Sequence, residues 1–185
     1  MDLNKAIQSR KSVKKFTTEK PNWRDIIECV DSARYAPMAG NNYSLKFIIL
    51  DDKETIQKIS EYCQQPFVAQ THYMVVVCSD PRRQLNAFEE KGRVFLRQQA
   101  GAAIQNFLLK IEEKGLATCW VGYFVEGLIK DKLKIPANII IEALFPIGYE
   151  APNNKEKRTK IELDRILYFN KYGNKKMKKE RILEV

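Results

Sequence analysis

Hydrophobic residues along this 185-residue chain follow two patterns, short aliphatic runs and a spacing of three to four residues. The runs predict buried strands, and the wider spacing predicts helices that pack one face against them. The predicted strands are 46–50, 74–79, 117–124 and 139–149, and the predicted helices are 23–35, 53–62, about 88–114 and 125–133, after a short first helix capped by Asp2. Alternating helices and strands are typical of α/β and α+β domains, and the pattern alone favours neither.

Two of these helices have a predicted inward face. In the first helix this face holds Leu3, Ala6 and Ile7, and in the second it holds Ile26, Ile27, Val30 and Ala33. Gly115 is predicted to end the long helix, because glycine readily adopts the left-handed conformation common just past a helix C-terminus.

Composition narrows the class of protein. The 44% hydrophobic content predicts a folded chain, which we expect to form one domain, residues 1–170, and a basic tail, residues 171–185. Cysteines 29, 63, 78 and 119 form no metal-binding spacing, so no metal site is expected. The chain has no signal-like start and no apolar run of membrane-spanning length, so we expect a soluble, cytoplasmic protein without a membrane partner.

The formal charge of +9 raises the alternative of a basic binding module. The last fifteen residues hold six Lys or Arg and two Glu, so the tail could be a solvated terminus, a docking arm or a weak polyanion binder. Acidic and basic residues are interleaved elsewhere, and no nucleic-acid recognition motif is present. We therefore expect no nucleic acid as partner, and an acidic partner or nucleic acid stays the alternative function.

The stretch 10–14 is the first candidate site. In an extended segment Arg10, Ser12 and Lys14 lie on one side, where a guanidinium, a hydroxyl and an ammonium suit a phosphate monoester. The competing interpretation is that basic residues here only complement the C-terminal end of the first helix.

Two other stretches could contact a flat ligand. The loop APMAGNNYS at 36–44 has the composition of a connector with exposed backbone groups, and an Asn side chain can read an imide edge. The stretch GLATCWVGYF at 115–124 places a glycine where a ligand could approach the backbone closely. Each stretch could equally be an ordinary loop or core strand.

The order of these motifs is more specific than any one of them. SRKSVKKF, ARYAPMAGNNYSLKFIIL, AGAAIQNFLLKIEEKGLATCWVGYF and IPANIIIEALFPIGYEAP follow one another along residues 4–170. In this the chain resembles the nitroreductase family of FMN-dependent oxidoreductases. The resemblance implies an α+β, three-layer fold with a central, mainly antiparallel sheet flanked by helices, in a homodimer with FMN at its interface.

The resemblance also implies which residues hold FMN. The family's Arg-x-Ser-x-Arg/Lys pattern carries over to Arg10, Ser12 and Lys14, with Lys11 among them. Arg10 and Ser12 would bind the phosphate side. Lys14 would lie near the pyrimidine edge, where a cation stabilises the negative charge that reduction brings.

The family's Pro-Ser-x-x-Asn-x-Gln loop matches Pro37, Met38 and Asn41 here. Asn41 would reach the flavin imide from the partner subunit, and the backbone of Pro37, Met38 and Ala39 would contact the ring. Met38 replaces the family's serine and Tyr43 replaces its glutamine, so only the backbone contacts carry over at those positions.

Two further stretches complete the implied site. Gly122, beside Val121, matches the position whose backbone N–H points at the hydride-accepting flavin nitrogen, while Tyr123 replaces a second glycine and could narrow the site. Arg158 and Lys160 lie where the family places basic residues that close over the phosphate. The resemblance does not fix which of the two makes the contact.

The implied activity needs no catalytic side chain, because the flavin supplies the chemistry. NAD(P)H would deliver hydride to bound FMN, and a small acceptor such as a nitroaromatic or quinone would then take it, in a ping-pong cycle. A hydrolase built on Ser12 or Cys119 is a remote third possibility, because His72, the only histidine, has no evident partner in the sequence.

Overall fold

The computed structural model describes residues 1–152 and 161–177. Its strands form one antiparallel sheet in the order β1-β2-β4-β3, which confirms the α+β architecture. The strands are β1 (Leu45–Leu50), β2 (Tyr73–Ser79), β3 (Ala117–Thr118) and β4 (Ile140–Gly148), and the helices are α1 (Leu3–Ser9), α2 (Trp23–Ala33), α3 (Lys53–Tyr62), α4 (Arg82–Phe88), α5 (Lys91–Glu113), α6 (Glu126–Leu133) and α7 (Leu163–Ile166).

Helices cover both faces of the sheet, and this explains why its strands are continuous aliphatic runs. Every residue of β2 is buried. Val75 and Val77 pack in the core cluster with α2 and α5, whereas Met74 and Val76 pack in a second cluster with α3 and α6. Because successive strand residues point to opposite faces, this division gives the three-layer arrangement that the sequence led us to expect.

The predicted helix 88–114 is wrong at its start. The chain forms α4, which was not predicted, and α5 begins only at Lys91 after Glu89 adopts a positive φ of 51°. Gly92 permits this break, because a methyl group at its Cα would overlap the backbone carbonyl of Gln84. At the other end the prediction is confirmed. Gly115 has φ +69°, and the amide of the next residue, Leu116, donates 3.0 Å back to the Ile111 carbonyl.

The predicted strand 117–124 is mostly wrong. Only Ala117 and Thr118 form β3, paired with the end of β4. The chain then leaves the regular ladder and returns to it once, at Val121, which exchanges two backbone hydrogen bonds of 3.0 Å with Leu144. Between these two points Trp120 lies outside the ladder, and its ring packs edge-on against the Phe145 ring.

The predicted inward faces of α1 and α2 are only partly confirmed. Ala6, Ile26 and Ala33 are buried, but Leu3, Ile7 and Ile27 are 64%, 42% and 46% exposed. Leu3 and Ile27 border a groove between α1, α2 and α5 rather than a closed core. None of the helices in the described part of the chain has the length and hydrophobicity to cross a membrane.

The close contact of α4 and α5 gives a first prediction. Gly92→Ala should lower the free energy of unfolding by roughly 1–3 kcal/mol, the usual cost of overpacking against backbone that cannot give way. Gly127→Ala is the matched control. A methyl group there meets nothing within 4 Å, so alanine's better helix propensity should raise stability by up to about 1 kcal/mol. Equal denaturant midpoints for the two variants would show that the α4–α5 contact is not tight.

Candidate functional site

Residues 10–17, which we call the basic segment, run extended beside the sheet. The Val13 amide donates 2.9 Å to the Thr118 carbonyl, and the Thr17 amide donates 2.9 Å to the carbonyl of Tyr149. Val13 is buried, and the Phe16 ring covers Gly148 closely enough that a Cβ there would lie 2.9 Å from it. The backbone of the basic segment is therefore fixed near its middle and at its C-terminal end.

This backbone distributes the polar side chains between two sides. Lys11 points with Val13 toward the protein, and its ammonium lies 2.7 Å from a Glu150 carboxylate oxygen. Ser12 and Lys14 are exposed on the other side. Lys11 was expected among the cofactor-binding residues, but here its charge is balanced by a carboxylate of the same chain.

Arg10 occupies the junction between α1 and the basic segment. Its amide donates 3.1 Å to the Ala6 carbonyl, which closes the helix. The side chain is half-buried and lines a cavity of about 150 Å³ together with Lys11, Glu112 and Glu150. The extended pattern predicted Arg10 on one side with Ser12 and Lys14, but the residues that line this cavity place it with Lys11 and Val13. A guanidinium has five N–H donors in a planar fork, so Arg10 can contact these walls and still present N–H groups to an anion.

The loop 36–44 is tightly structured rather than irregular. Residues Ala39–Asn41 form one turn of 3-10 helix in which Gly40 and Asn41 have φ of 59° and 55°. A Cβ on Gly40 would lie 2.9 Å from the Phe88 ring, so the loop rests on the end of α4. Pro37 and Asn41 are exposed, whereas Met38 and Ala39 are half-buried.

Two buried glutamines that sequence reasoning missed hold this loop. The Gln84 amide donates 2.9 Å to the Asn42 carbonyl and 3.3 Å to the Ala39 carbonyl. Gln99 donates 3.0 Å to the same Asn42 carbonyl and accepts 3.0 Å from the Ser44 amide. Only Gln99 lay within a predicted helix, where glutamine is usually exposed, and Gln84 lay in a stretch for which no element was predicted.

Tyr43 lies in the same loop, at the position where the resemblance led us to expect glutamine. Its side chain is half-buried against the α2–α5 side of the sheet. Burial raises the pKa of the Tyr43 phenol, so the group stays protonated at neutral pH.

The stretch 119–124 presents its backbone to solvent around Gly122. Val121 is buried and anchored to Leu144, while Gly122 and Tyr123 are exposed. The nearest atom to a Cβ built on Gly122 is the Trp120 indole nitrogen, at 3.7 Å. The space in front of Gly122 is thus open, and its rim is aromatic.

The basic segment and the loop 36–44 lie at opposite corners of one chain. The loop enters β1 at Leu45, which pairs with Ser79, and Ser79 pairs with Ile140 at the start of β4. The basic segment instead hydrogen-bonds to Thr118 of β3 and to Tyr149, just past the end of β4. The length of β4 and the three strand spacings give a diagonal of roughly 30 Å across a flat sheet. The arrangement along α5 agrees, since Gln99 and Glu112 are about 20 Å apart on an ideal helix.

The remaining candidates bear on the alternatives. Arg158 and Lys160 lie outside the described residues. Cys119 is buried with its thiol 3.8 Å from the Trp120 carbonyl, and Nε2 of His72 lies 2.9 Å from the Thr18 carbonyl. Within residues 1–152 and 161–177 no group of three or more His, Cys, Asp or Glu side chains could hold a metal ion.

Comparison with known proteins agrees with the architecture. The model of the nitroreductase family matches residues 7–69 and 60–149. A Methanothermobacter thermautotrophicus protein, named for NADH dehydrogenase or NAD(P)H nitroreductase activity, is 30% identical over 90% of this chain and 86% of its own length. A Bacillus subtilis FMN reductase (NADPH) is 24% identical over 90% of this chain and 73% of its own.

Among solved structures, a nitroreductase family protein from Clostridium novyi superimposes with a TM-score of 0.76 and 26% identity, covering 94% of this chain and 96% of that one. The family match spans well over half of the chain and includes the basic segment, the loop 36–44 and the stretch 119–124. On these grounds the chain belongs to the nitroreductase family.

Proposed function

We propose that two copies of this chain hold FMN between them and pass hydride from NAD(P)H to a small organic acceptor, such as a nitroaromatic or a quinone, in a ping-pong cycle. The coarser activity, NAD(P)H-dependent flavin oxidoreductase, follows from membership of the nitroreductase family. The finer parts rest on the chain's own residues, and the basic segment carries most of the weight.

The basic segment is suited to the phosphate end of FMN. Its backbone is fixed by hydrogen bonds to Thr118 and Tyr149, so Ser12 and Lys14 are presented without further ordering of the chain. A phosphate that meets a guanidinium, a hydroxyl and an ammonium gains charge-assisted hydrogen bonds. Arg158 and Lys160 stay proposed as additional phosphate contacts.

The ring end of FMN would meet backbone and one amide side chain. The exposed Asn41 amide offers both a donor and an acceptor, as an imide edge requires. The Gly122 backbone N–H, beside the anchored Val121, would hydrogen-bond to the hydride-accepting nitrogen, and the open space in front of it admits a flat ring. Bound FMN supplies the hydride chemistry, while the protein orients the ring and excludes water from one face.

The opposite-corner arrangement supports a site made by two copies. Asn41 and Arg10 of one chain are farther apart than the imide edge and phosphate of one FMN. A second copy related by a two-fold axis would bring its own loop 36–44 to the basic segment of the first, and the converse. This is the reason for assigning Asn41 to the partner subunit.

The apolar groove between α1, α2 and α5 supports the same proposal. It has a volume of about 880 Å³ and includes Leu3, Ile27 and Tyr35, of which Tyr35 is 71% exposed. Patches of this kind on a soluble chain mark interaction surfaces. The groove lies directly beside the Arg10 junction, so a second copy seated there would also be adjacent to the FMN phosphate.

Arg10 and Lys11 form a matched pair for testing the phosphate site. Arg10→Ala should weaken FMN binding by at least tenfold, because a charge-assisted contact is worth roughly 1.5–3 kcal/mol. Lys11→Ala should change affinity by less than about threefold, because Glu150 already balances that charge. Quenching of FMN fluorescence measures both constants. A larger effect at Lys11 than at Arg10 would contradict the assignment of Arg10, rather than Lys11, to the FMN phosphate.

The shared site predicts a specific result in mixed dimers. Arg10→Ala and Asn41→Ala each damage both sites of a homodimer. When the two variants are combined in one dimer, one site should contain both wild-type residues and the other neither. FMN titration should therefore show half of the sites at wild-type affinity. If no site recovers, Arg10 and Asn41 act in one chain or not at all, and sedimentation showing a flavin-loaded monomer would also refute the shared site.

Reduction gives the test of activity itself. Anaerobic addition of NADH or NADPH to the FMN-loaded protein should bleach the visible flavin absorbance, and a nitroaromatic or quinone should restore it. A protein that takes up no flavin would overturn the proposal.

A further inference from the structure

We propose that Gln84, supported by Gln99, is a positioning residue that fixes the loop 36–44 so that Asn41 meets the flavin ring. This inference rests on the proposed function, because it gives Asn41 a ligand. Neither glutamine is expected to touch the flavin, since both side chains are buried beneath the loop.

The contacts of the two glutamines converge on one carbonyl. The amides of Gln84 and Gln99 donate 2.9 and 3.0 Å to the Asn42 carbonyl, and Gln84 also donates 3.3 Å to the Ala39 carbonyl. These two carbonyls flank Gly40 and Asn41, the residues of the loop 36–44 that have left-handed backbone. A left-handed asparagine persists only where its surroundings enforce it.

The helices below make the position of Gln84 rigid. Gly92 of α5 lies against the backbone carbonyl of Gln84, so that residue cannot move without displacing α5. The Phe88 ring, one turn along α4, supports Gly40 from below. The loop is therefore supported by α4 at two points, the Phe88 ring and the Gln84 side-chain amide.

The arrangement of buried polar groups around Gln84 lowers the stability of the folded protein. With its nitrogen directed at two carbonyls, Gln84 leaves Oε1 buried without a hydrogen-bond partner, and Ser44 Oγ is likewise buried without one among the described residues. Buried polar groups are nearly always satisfied, and local violations are expected where a site demands a particular geometry. An apolar residue at position 84 would avoid the unsatisfied oxygen but would lose the grip on the loop.

The experiment uses Gln84→Met, which keeps the length of the side chain and removes both donors. Its matched control is Thr71→Val. Thr71 is also buried and lies within hydrogen-bonding distance of two backbone carbonyls, those of Val68 and Tyr73, but it is not in the loop or in α4. Both variants remove hydrogen bonds from buried side chains to backbone carbonyls, so that loss alone cannot explain a difference in flavin binding between them.

The probes are FMN and lumiflavin, which has the ring without the phosphate chain. Gln84→Met should weaken both by about tenfold, the worth of roughly one buried hydrogen bond. Thr71→Val should weaken neither, and Arg10→Ala should weaken only FMN. Unchanged lumiflavin affinity in a folded Gln84→Met protein would overturn the inference. If that variant does not fold, Gln99→Met carries the same test, because it removes the second donor to Asn42.

A double-mutant cycle separates positioning from general damage. In the Asn41→Ala background, Gln84→Met should change lumiflavin affinity by less than about twofold, because the residue through which it acts is gone. An undiminished tenfold effect would mean that Gln84 acts elsewhere, and the inference would fail while the proposed function stands. Wild-type protein that binds neither probe would overturn both.

Discussion

Backbone hydrogen bonds along the outer edge of β4 and the residues just past it hold one half of the proposed site together. On its inner edge β4 pairs with β2, and on its outer edge it receives β3 at Gly148 and the single bridge to Val121. Past Gly148, the Tyr149 carbonyl accepts from the Thr17 amide. The basic segment and Gly122 are thus positioned by one strand and its continuation, and their relative placement does not depend on flexible side chains.

The other half of the proposed site is built on a different principle. The loop 36–44 carries backbone conformations that regular pairing cannot provide, and it is held by side-chain amides from α4 and α5. Such a support can be changed by a single substitution, whereas the ladder around β4 cannot. Because Gln84 and Gln99 donate to carbonyls of the loop backbone, this support does not involve the side chains of Met38 and Tyr43.

Elements that follow from the spacing of hydrophobic residues could be predicted from the sequence. Features that depend on tertiary contacts could not. The strands at 46–50, 74–79 and 139–149 were readable because helices cover both faces, so most of their residues are apolar, with Lys46, Ser79 and Glu142 as exceptions. The break between α4 and α5 was not readable, because it depends on Gly92 meeting a carbonyl from the preceding helix. Val121 was assigned to a strand by composition, yet only one bridge forms there because Trp120 turns away from the ladder. Gln84 and Gln99 were missed for the same reason, since a buried glutamine and an exposed one look alike in a sequence.

The incomplete burial of α1 and α2 is a further case in which hydrophobic spacing alone does not determine the contacts of a helix. Helical spacing correctly indicated that Leu3 and Ile27 belong to apolar faces, but within the described residues these side chains border the open groove beside α5. Enough apolar surface for a core is present in the sequence, and part of it is exposed in the portion of the chain that the structure describes. The groove also adjoins Arg10, at the corner that lacks an Asn41 of its own. A second copy that covered this apolar surface would supply the missing loop at the same time, so the hydrophobic gain of association and the completion of the flavin site would come from a single contact.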